Sequence, residues 1–321
     1  MDRPNERSSH TRATPRGGGI AIVAIAAWAV ILATVLWPEA RFRLAGFLVP
    51  ALAIAAVSWL DDLKPLRNRV RFGVHLAAAA AATAVLGPVR SADLGSLGTF
   101  DLGGAAWPLT LLWIVGMTNA FNFMDGIDGI AGITGAVAGV AVAAAAGCLG
   151  VEPVAAVGLA FAGASIGFLT CNWPPARIFM GDVGSAFCGF VIAVLPLLGA
   201  AAVTSMLTMI TAVAMWPFIF DTAFTLCRRT AKRENIFKAH RSHLYQRLVI
   251  AGWSHRAVSS LYGGLSAVAA AVALAPLCDA ALARTATTLA AATIAVGIAL
   301  LLALVHVSEK AEGRKAPGAS V

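Results

Sequence analysis

Residues 129–149 read GIAGITGAVAGVAVAAAAGCL, and residues 153–171 read PVAAVGLAFAGASIGFLTC; Glu152 is the one charged residue across 129–171. Each run reaches the length of about 20 mostly apolar residues that carries a helix across a bilayer. Their Gly and Ala residues let neighbouring helices approach closely. On either side of this pair, eight further runs qualify: 18–37, 44–60, 72–88, 105–121, 185–199, 203–226, 256–277 and 285–305. Pro217, inside the run 203–226, predicts a kink there.

The whole chain agrees. Of 321 residues, 59% are hydrophobic and 12% are charged, with a mean hydropathy of +0.80. A soluble domain carries about twice that charged fraction. A disordered chain needs low hydrophobicity and high charge, so it is excluded. The expected fold is all-α: a polytopic integral membrane bundle of about ten transmembrane helices. No repeat or soluble insertion interrupts it. Residues 1–17 form an N-terminal arm, 18–305 the bundle and 306–321 a tail. The five cysteines show no paired spacing and read as packing residues.

The net charge is +8. In a soluble protein that would suggest nucleic acid; here basic residues flank spans, and no nucleic-acid partner is expected. With residues 1–17 placed inside, the segments 1–17, 61–71, 119–128, 172–184, 227–256 and 306–321 hold 20 of the Lys and Arg residues, and the outer segments hold 4. That bias predicts both termini to be cytoplasmic.

On this topology Asp61, Asp62, Asp125, Asp128, Asp182 and Asp221 all fall at or near cytoplasmic ends of spans. Asp61 and Asp62 end the second span, at the negative pole of its dipole, where each charge costs about 0.3–1 kcal/mol. A divalent cation, or Lys64, Arg67 and Arg69, is expected to compensate. The segment NAFNFMDGIDG (119–129) holds no basic residue; Asn119 and Asn122, like Asp125 and Asp128, are three apart and share a face in a helical turn. Asp128 is also placed to cap the fifth span. Asp182, in NWPPARIFMGDVGSAFCG (172–189), is placed to cap the seventh, whose N-terminus is a ready anion site. A carboxylate beside it suits Mg²⁺, which takes few protein oxygens and shares phosphate and water. In the inner loop, KAHRSHLYQRL brings His240 and His243 together with Arg241, Arg247 and Lys238. No further His or Cys is near enough in sequence for zinc. Cations and histidines together suit a diphosphate or an acidic lipid headgroup.

Six of these pieces, in order, resemble the polyprenyl-phosphate N-acetylhexosamine-1-phosphate transferases. They are TPRGGG (14–19), Asp61-Asp62, NAFNFMDGIDG (119–129), NWPPARIFMGDVGS (172–185), PFIFDT (217–222) and HRSH (240–243). The resemblance implies that a lipid phosphate attacks the sugar-linked phosphorus of a UDP-sugar. The products are a polyprenyl-diphosphate sugar and UMP, and Mg²⁺ (Mn²⁺ as an alternative) is required. It implies UDP-N-acetylhexosamine and undecaprenyl phosphate as partners, membrane lipid around the bundle and room for a homodimer. The setting it implies is the bacterial cytoplasmic (inner) membrane, with the site facing the cytoplasm. Carried over by motif, Asp61, Asp62, His240 and His243 are the catalytic candidates and Asp182 the metal ligand. Asn119, Asn122, Asp125, Asp128, Asn172, Phe179 and Arg241 lie around the nucleotide or its diphosphate.

Two departures matter. HRSH differs from the adjacent histidines of the muramoyl-pentapeptide branch, which disfavours the peptidoglycan precursor as substrate. The family also carries a span ahead of the TPRGGG loop, so an upstream span is expected beyond Met1. The competing class is a transporter or channel. It predicts ionisable residues at span centres and inverted repeats, and the sequence has neither.

Overall fold

A computed structural model of the chain describes residues 14–94, 97–235, 240–279 and 282–315. Residues 1–13 of the expected arm, with His10 and Arg12, lie outside the described residues, as do Lys238 and residues 316–321 of the tail. The helices are α1 (Gly19–Leu36), α2 (Arg41–Leu63), α3 (Asn68–Leu86), α4 (Ala106–Met124), α5 (Ile130–Cys148), α6 (Glu152–Asn172), α7 (Asp182–Val194), α8 (Ala201–Ala214), α9 (Trp216–Ala231), α10 (Leu244–Ile250), α11 (His255–Cys278) and α12 (Ala283–Lys315). The chain is an all-α membrane bundle, and each of the ten apolar runs falls on a helix or a helix pair.

Length and apolarity alone mark fewer than ten spans. Among the described residues seven helices are long and apolar enough to cross a membrane, or eight if α8 and α9 form one broken span. α7 has 13 residues and continues only through a 3-10 turn, Leu195–Leu198. α4 has 19 residues, but Asn119 and Asn122 make its C-terminal end polar. The run 203–226 is broken, with α8 and α9 meeting at 69°. Pro217 is the cause: it starts α9 where its missing N–H leaves no hydrogen bond unmade, and it cannot continue α8. One strand pair was not legible: β1 (Ser91–Asp93) and β2 (Thr99–Asp101) form a short antiparallel hairpin between α3 and α4.

α5 and α7 form the centre. Nearly three quarters of α5 is buried, against little more than a quarter of α1, so the Gly/Ala run of 129–149 is a packing core and not a lipid-facing span. Gly139 lies against Ala162 with no room for a Cβ, and Gly158 packs closely against Ala143. α7 is buried from Val183 to Val194. Its far end is held by Arg43, whose guanidinium donates to the carbonyls of Leu197 at 2.7 Å and Gly199 at 2.9 Å. Outward-facing Trp28, Val35, Val49, Leu112 and Val296 present apolar surface suited to lipid chains. All five cysteines are free thiols.

Candidate active site

The acidic motif segments converge at the end of the bundle opposite the hairpin. Arg71, one turn into α3, is the meeting point. Its guanidinium lies 2.7 Å from Asp61 Oδ2 and 3.1 Å from Asp182 Oδ2, and it donates to Asn122 Oδ1 at 3.3 Å. α2, α3, α4 and α7 are thereby joined at one side chain. The expected compensators were Lys64, Arg67 and Arg69. They are displaced by Arg71 because Pro65 ends α2 and α3 restarts at Asn68, which turns the helix face bearing Arg71 back toward Asp61.

Asp62 takes a role the sequence did not announce. Its carboxylate accepts the backbone N–H groups of Asp182 at 3.1 Å and Val183 at 2.9 Å. It is the N-cap of α7, supplied from α2, and its charge sits at the positive pole of α7, offsetting its place at the negative pole of α2. The cap of α7 was expected from Asp182. Instead Gly181 precedes the helix with no side-chain cap, and Asp182 is free to face Arg71. The anion site expected at this helix start is filled by Asp62 itself.

The TPRGGG loop zips along the strand-like segment before α7. Phe179 N–H donates to Pro15 O at 2.8 Å, and Gly18 and Gly19 donate to Phe179 O and Met180 O, both at 2.9 Å. Arg16 thereby comes to 3.8 Å from Asp62. Gly19 is required by contact: a Cβ there would overlap Gly184 of α7. Asn172 is buried at the end of α6. Its Oδ1 accepts Gly129 N–H at 2.8 Å and its Nδ2 donates to Ile178 O at 2.9 Å, so both polar ends clamp the motif loops to each other. Asn119 donates to Val115 O within α4, and Asn122 Nδ2 donates to Ser185 Oγ at 2.8 Å.

Asp128 does not cap α5. Its Oδ2 accepts Ala176 N–H at 3.0 Å and lies 3.4 Å from His255 Nδ1, because Gly129 turns the chain and points the preceding carboxylate across to the 173–177 loop. Asp125 follows α4 directly. Burial, and then the nearby carboxylates of Asp182, Asp62 and Asp128, push its pKa up to about 7. Between about pH 4 and about pH 7 the folded state therefore holds a proton that the unfolded chain has released, so this group lowers stability as pH rises. In detergent without divalent cation, thermal stability is expected to fall from about pH 4 to about pH 7 more steeply in the wild type than in Asp125→Asn. Parallel curves would contradict this charge excess.

The histidine segment sits against the same loop. His243 is buried at the start of α10, with Nδ1 3.1 Å from Asp221 Oδ1. The His240 ring stacks on it at 5.1 Å between centroids, with Nδ1 2.9 Å from Ser242 Oγ. Burial, then His243 and Arg229, lower the His240 pKa to about 4, so its imidazole is neutral at pH 7. Arg241 is half-buried. Tyr245 donates its hydroxyl to Phe123 O at 3.1 Å. Gly126 is the other close approach, since a Cβ there would strike the Tyr245 hydroxyl. Gly126→Ala is expected to cost about 1–3 kcal/mol by overpacking, read as a lowered thermal midpoint; an unchanged midpoint would contradict this packing.

Among the described residues no group of three or more His, Cys, Asp or Glu side chains is arranged to hold a metal ion. The donors present are all-oxygen, and the excess negative charge around Asp125 is what a cation relieves. Such an open set fits Mg²⁺, which binds through one or two carboxylates and completes its shell with phosphate and water, and it does not fit zinc. Asp182 and Asp125 could hold it.

The glycosyl transferase family 4 model matches residues 44–200, which contain three of the six motifs. The chain is 35% identical over 261 residues to the probable undecaprenyl-phosphate N-acetylglucosaminyl 1-phosphate transferase of Bacillus subtilis (strain 168), covering 80% of this chain and 71% of that protein. The chain belongs to glycosyl transferase family 4. This family 4 member is also 30% identical over 284 residues to a decaprenyl-phosphate N-acetylglucosaminephosphotransferase of Mycobacterium tuberculosis (H37Rv), covering 79% of this chain and 70% of the relative. To a phospho-N-acetylmuramoyl-pentapeptide-transferase of Heliobacterium modesticaldum it is 32% identical over 280 residues, covering 80% and 81%. It is thus a multi-pass membrane transferase. Sequence reasoning on this family 4 chain did not single out Arg71, Ser185, Tyr245 or His255, and left Asp221 without a role. Asp221 lay in a quoted motif, and Ser185 followed Asp182 at helical spacing; the others carried no local signal.

Proposed function

We propose that the chain transfers an N-acetylhexosamine 1-phosphate from a UDP-sugar to undecaprenyl phosphate, releasing UMP. This is the membrane step that starts a cell-surface or cell-wall glycan. The observation that carries the reading is one acidic cluster at one end of the bundle: Arg71 joins Asp61 to Asp182, Asp62 holds the amide of Asp182, and Asp125 lies within electrostatic reach of Asp62, Asp128 and Asp182. Five carboxylates are hostile to a diphosphate unless a cation joins them, and a metal-chelated nucleotide diphosphate supplies one.

An oxygen of the lipid phosphate attacks the sugar-linked phosphorus, and the bond from that phosphorus to the bridging oxygen of UMP breaks. A phosphate monoester has its second pKa near 6, so the nucleophile is already ionised at pH 7 and needs placement more than a base. Mg²⁺ (or Mn²⁺) held by Asp182 and Asp125 would neutralise diphosphate oxygens and the charge developing on UMP. Arg71 orients Asp61 and Asp182 together, and Asp62, through the first amides of α7, sets where Asp182 stands. Arg16 and the 240–243 segment add cationic and hydrogen-bonding groups for phosphate oxygens.

The basic-residue bias supports a site facing the cytoplasm of a bacterial inner membrane. In a variant lacking the native cysteines, Arg90→Cys should react with an impermeant maleimide in intact cells, whereas Lys64→Cys and Arg233→Cys should react only after permeabilisation. Labelling of Lys64→Cys in intact cells would overturn the sidedness. The activity itself is tested by UMP release from UDP-N-acetylglucosamine. Release that depends on both undecaprenyl phosphate and a divalent cation is expected; release indifferent to the lipid, or none across a panel of UDP-N-acetylhexosamines, would overturn the proposal.

A further inference from the structure

Asp221 lies on α9 with no exposed surface. Five groups face its carboxylate. Oδ1 accepts Leu244 N–H at 2.8 Å and the Thr225 hydroxyl at 3.2 Å, and it lies 3.1 Å from His243 Nδ1. Oδ2 accepts the Tyr262 hydroxyl at 2.7 Å and Tyr245 N–H at 3.1 Å. A carboxylate offers about four lone-pair sites, so this one is saturated and leaves no room for a ligand. None of its donors belongs to the cluster around Arg71.

The donors come from α9, α10, α11 and the residue that heads α10. α10 has seven residues, too few to hold a helix without outside support. Its first amides are held by Asp221, which caps it from another helix. On its other side α10 rests on the last turn of α4 and the residues just after it: Tyr245 donates to Phe123 O and fills the space over Gly126, and the His243 ring lies 6.4 Å from the Phe123 ring. Asp125 sits between those two contact points in sequence. One saturated carboxylate therefore controls where the histidine pair stands relative to the Asn122–Gly126 segment.

The geometry points to Asp221 as a positioning residue that, through His243 Nδ1 and the first amides of α10, fixes the histidine segment against the Asn122–Gly126 segment at the end of α4. The inference rests on the function proposed above, since that is the reaction it serves. The His243 tautomer that donates to Asp221 Oδ1 carries its proton on Nδ1, which leaves the lone pair on Nε2. A role confined to capping would need the amide contacts but not this tautomer.

The test compares purified wild-type protein in detergent, labelled with ¹⁵N-histidine, with Asp221→Asn. The wild type is expected to show His243 with Nδ1 protonated, and the variant a mixture of tautomers. The kcat for UMP release from UDP-N-acetylglucosamine should fall about 100-fold or more in Asp221→Asn, with KM within about threefold. Asp221→Asn added to His243→Ala should cause no further loss, because the two act as a unit. Wild-type tautomer and kcat in Asp221→Asn would overturn the inference, and so would losses that multiply in the double variant. If Asp221→Asn does not fold, Thr225→Val and Tyr262→Phe each remove one donor and keep the carboxylate; losses of about 3- to 10-fold in kcat are expected, and unchanged kcat in both would overturn it. A wild-type protein that releases no UMP refutes the proposed function instead, and the tautomer then still decides the role of Asp221.

Discussion

Asp182→Asn is expected to lower kcat for UMP release by about 10²- to 10³-fold, the usual loss when one charge-stabilising group is removed from a phosphoryl or acyl transfer site. It should do so without unfolding the protein. The capping of α7 falls to Asp62, whose carboxylate holds the first two amides of the helix, and Arg71 keeps Asp61 as its partner. The variant also relieves repulsion around Asp125. Thermal unfolding in detergent is the control, with a midpoint within a few degrees of the wild type. Near-normal turnover would leave Asp182 as an ion-pair partner of Arg71 and nothing more. A large fall in the midpoint would mean that the helix depends on Asp182 after all.

Asp62→Ala should fail in both respects. Losing an N-cap costs about 0.5–2 kcal/mol. Here the cap is a partly buried carboxylate from a distant helix, so two amides and the α2–α7 seam lose their partner together. The start of α7 also carries Asp182 and adjoins Gly19, whose contact with Gly184 tolerates no added carbon. Movement at this point displaces the metal candidate and the TPRGGG loop together. Activity is expected to fall at least as far as in Asp182→Asn, with a clear drop in the thermal midpoint. Asp62→Asn keeps an acceptor for one amide and should recover part of the stability but little of the activity. An Asp62→Ala protein with wild-type stability would contradict the role of Asp62 as a cap.

The helices were legible because a bilayer span is a composition signal: 18–37 and 129–149 need no tertiary information to be read. The break at Met215 was also legible, through Pro217. The short hairpin of 91–101 was not, since three-residue strands leave no periodicity. The centrality of α5 was not legible either, because an Ala/Gly run looks the same whether it faces lipid or protein. At the site, the acids were found because they cluster by face once the topology is drawn. Arg71 was missed because its partners lie across a chain turn on α2 and α7, and residue spacing within a helix says nothing about that. Asp128 and Asp182 were given the capping roles that their local sequence suggests. The structure assigns α7 instead to a carboxylate 120 residues away in sequence, Asp62 acting on Asp182. Local rules name plausible caps; packing decides which residue reaches the helix end.

The central claim is that the sugar moves together with its phosphate. UDP-N-acetylglucosamine labelled with ³²P at the β-phosphorus, incubated with purified protein, undecaprenyl phosphate and Mg²⁺, tests it most directly. The account predicts that the label passes into the organic phase as a lipid-diphosphate sugar while unlabelled UMP appears in equal amount. Label remaining in water as UDP, with the sugar alone on the lipid, would contradict it.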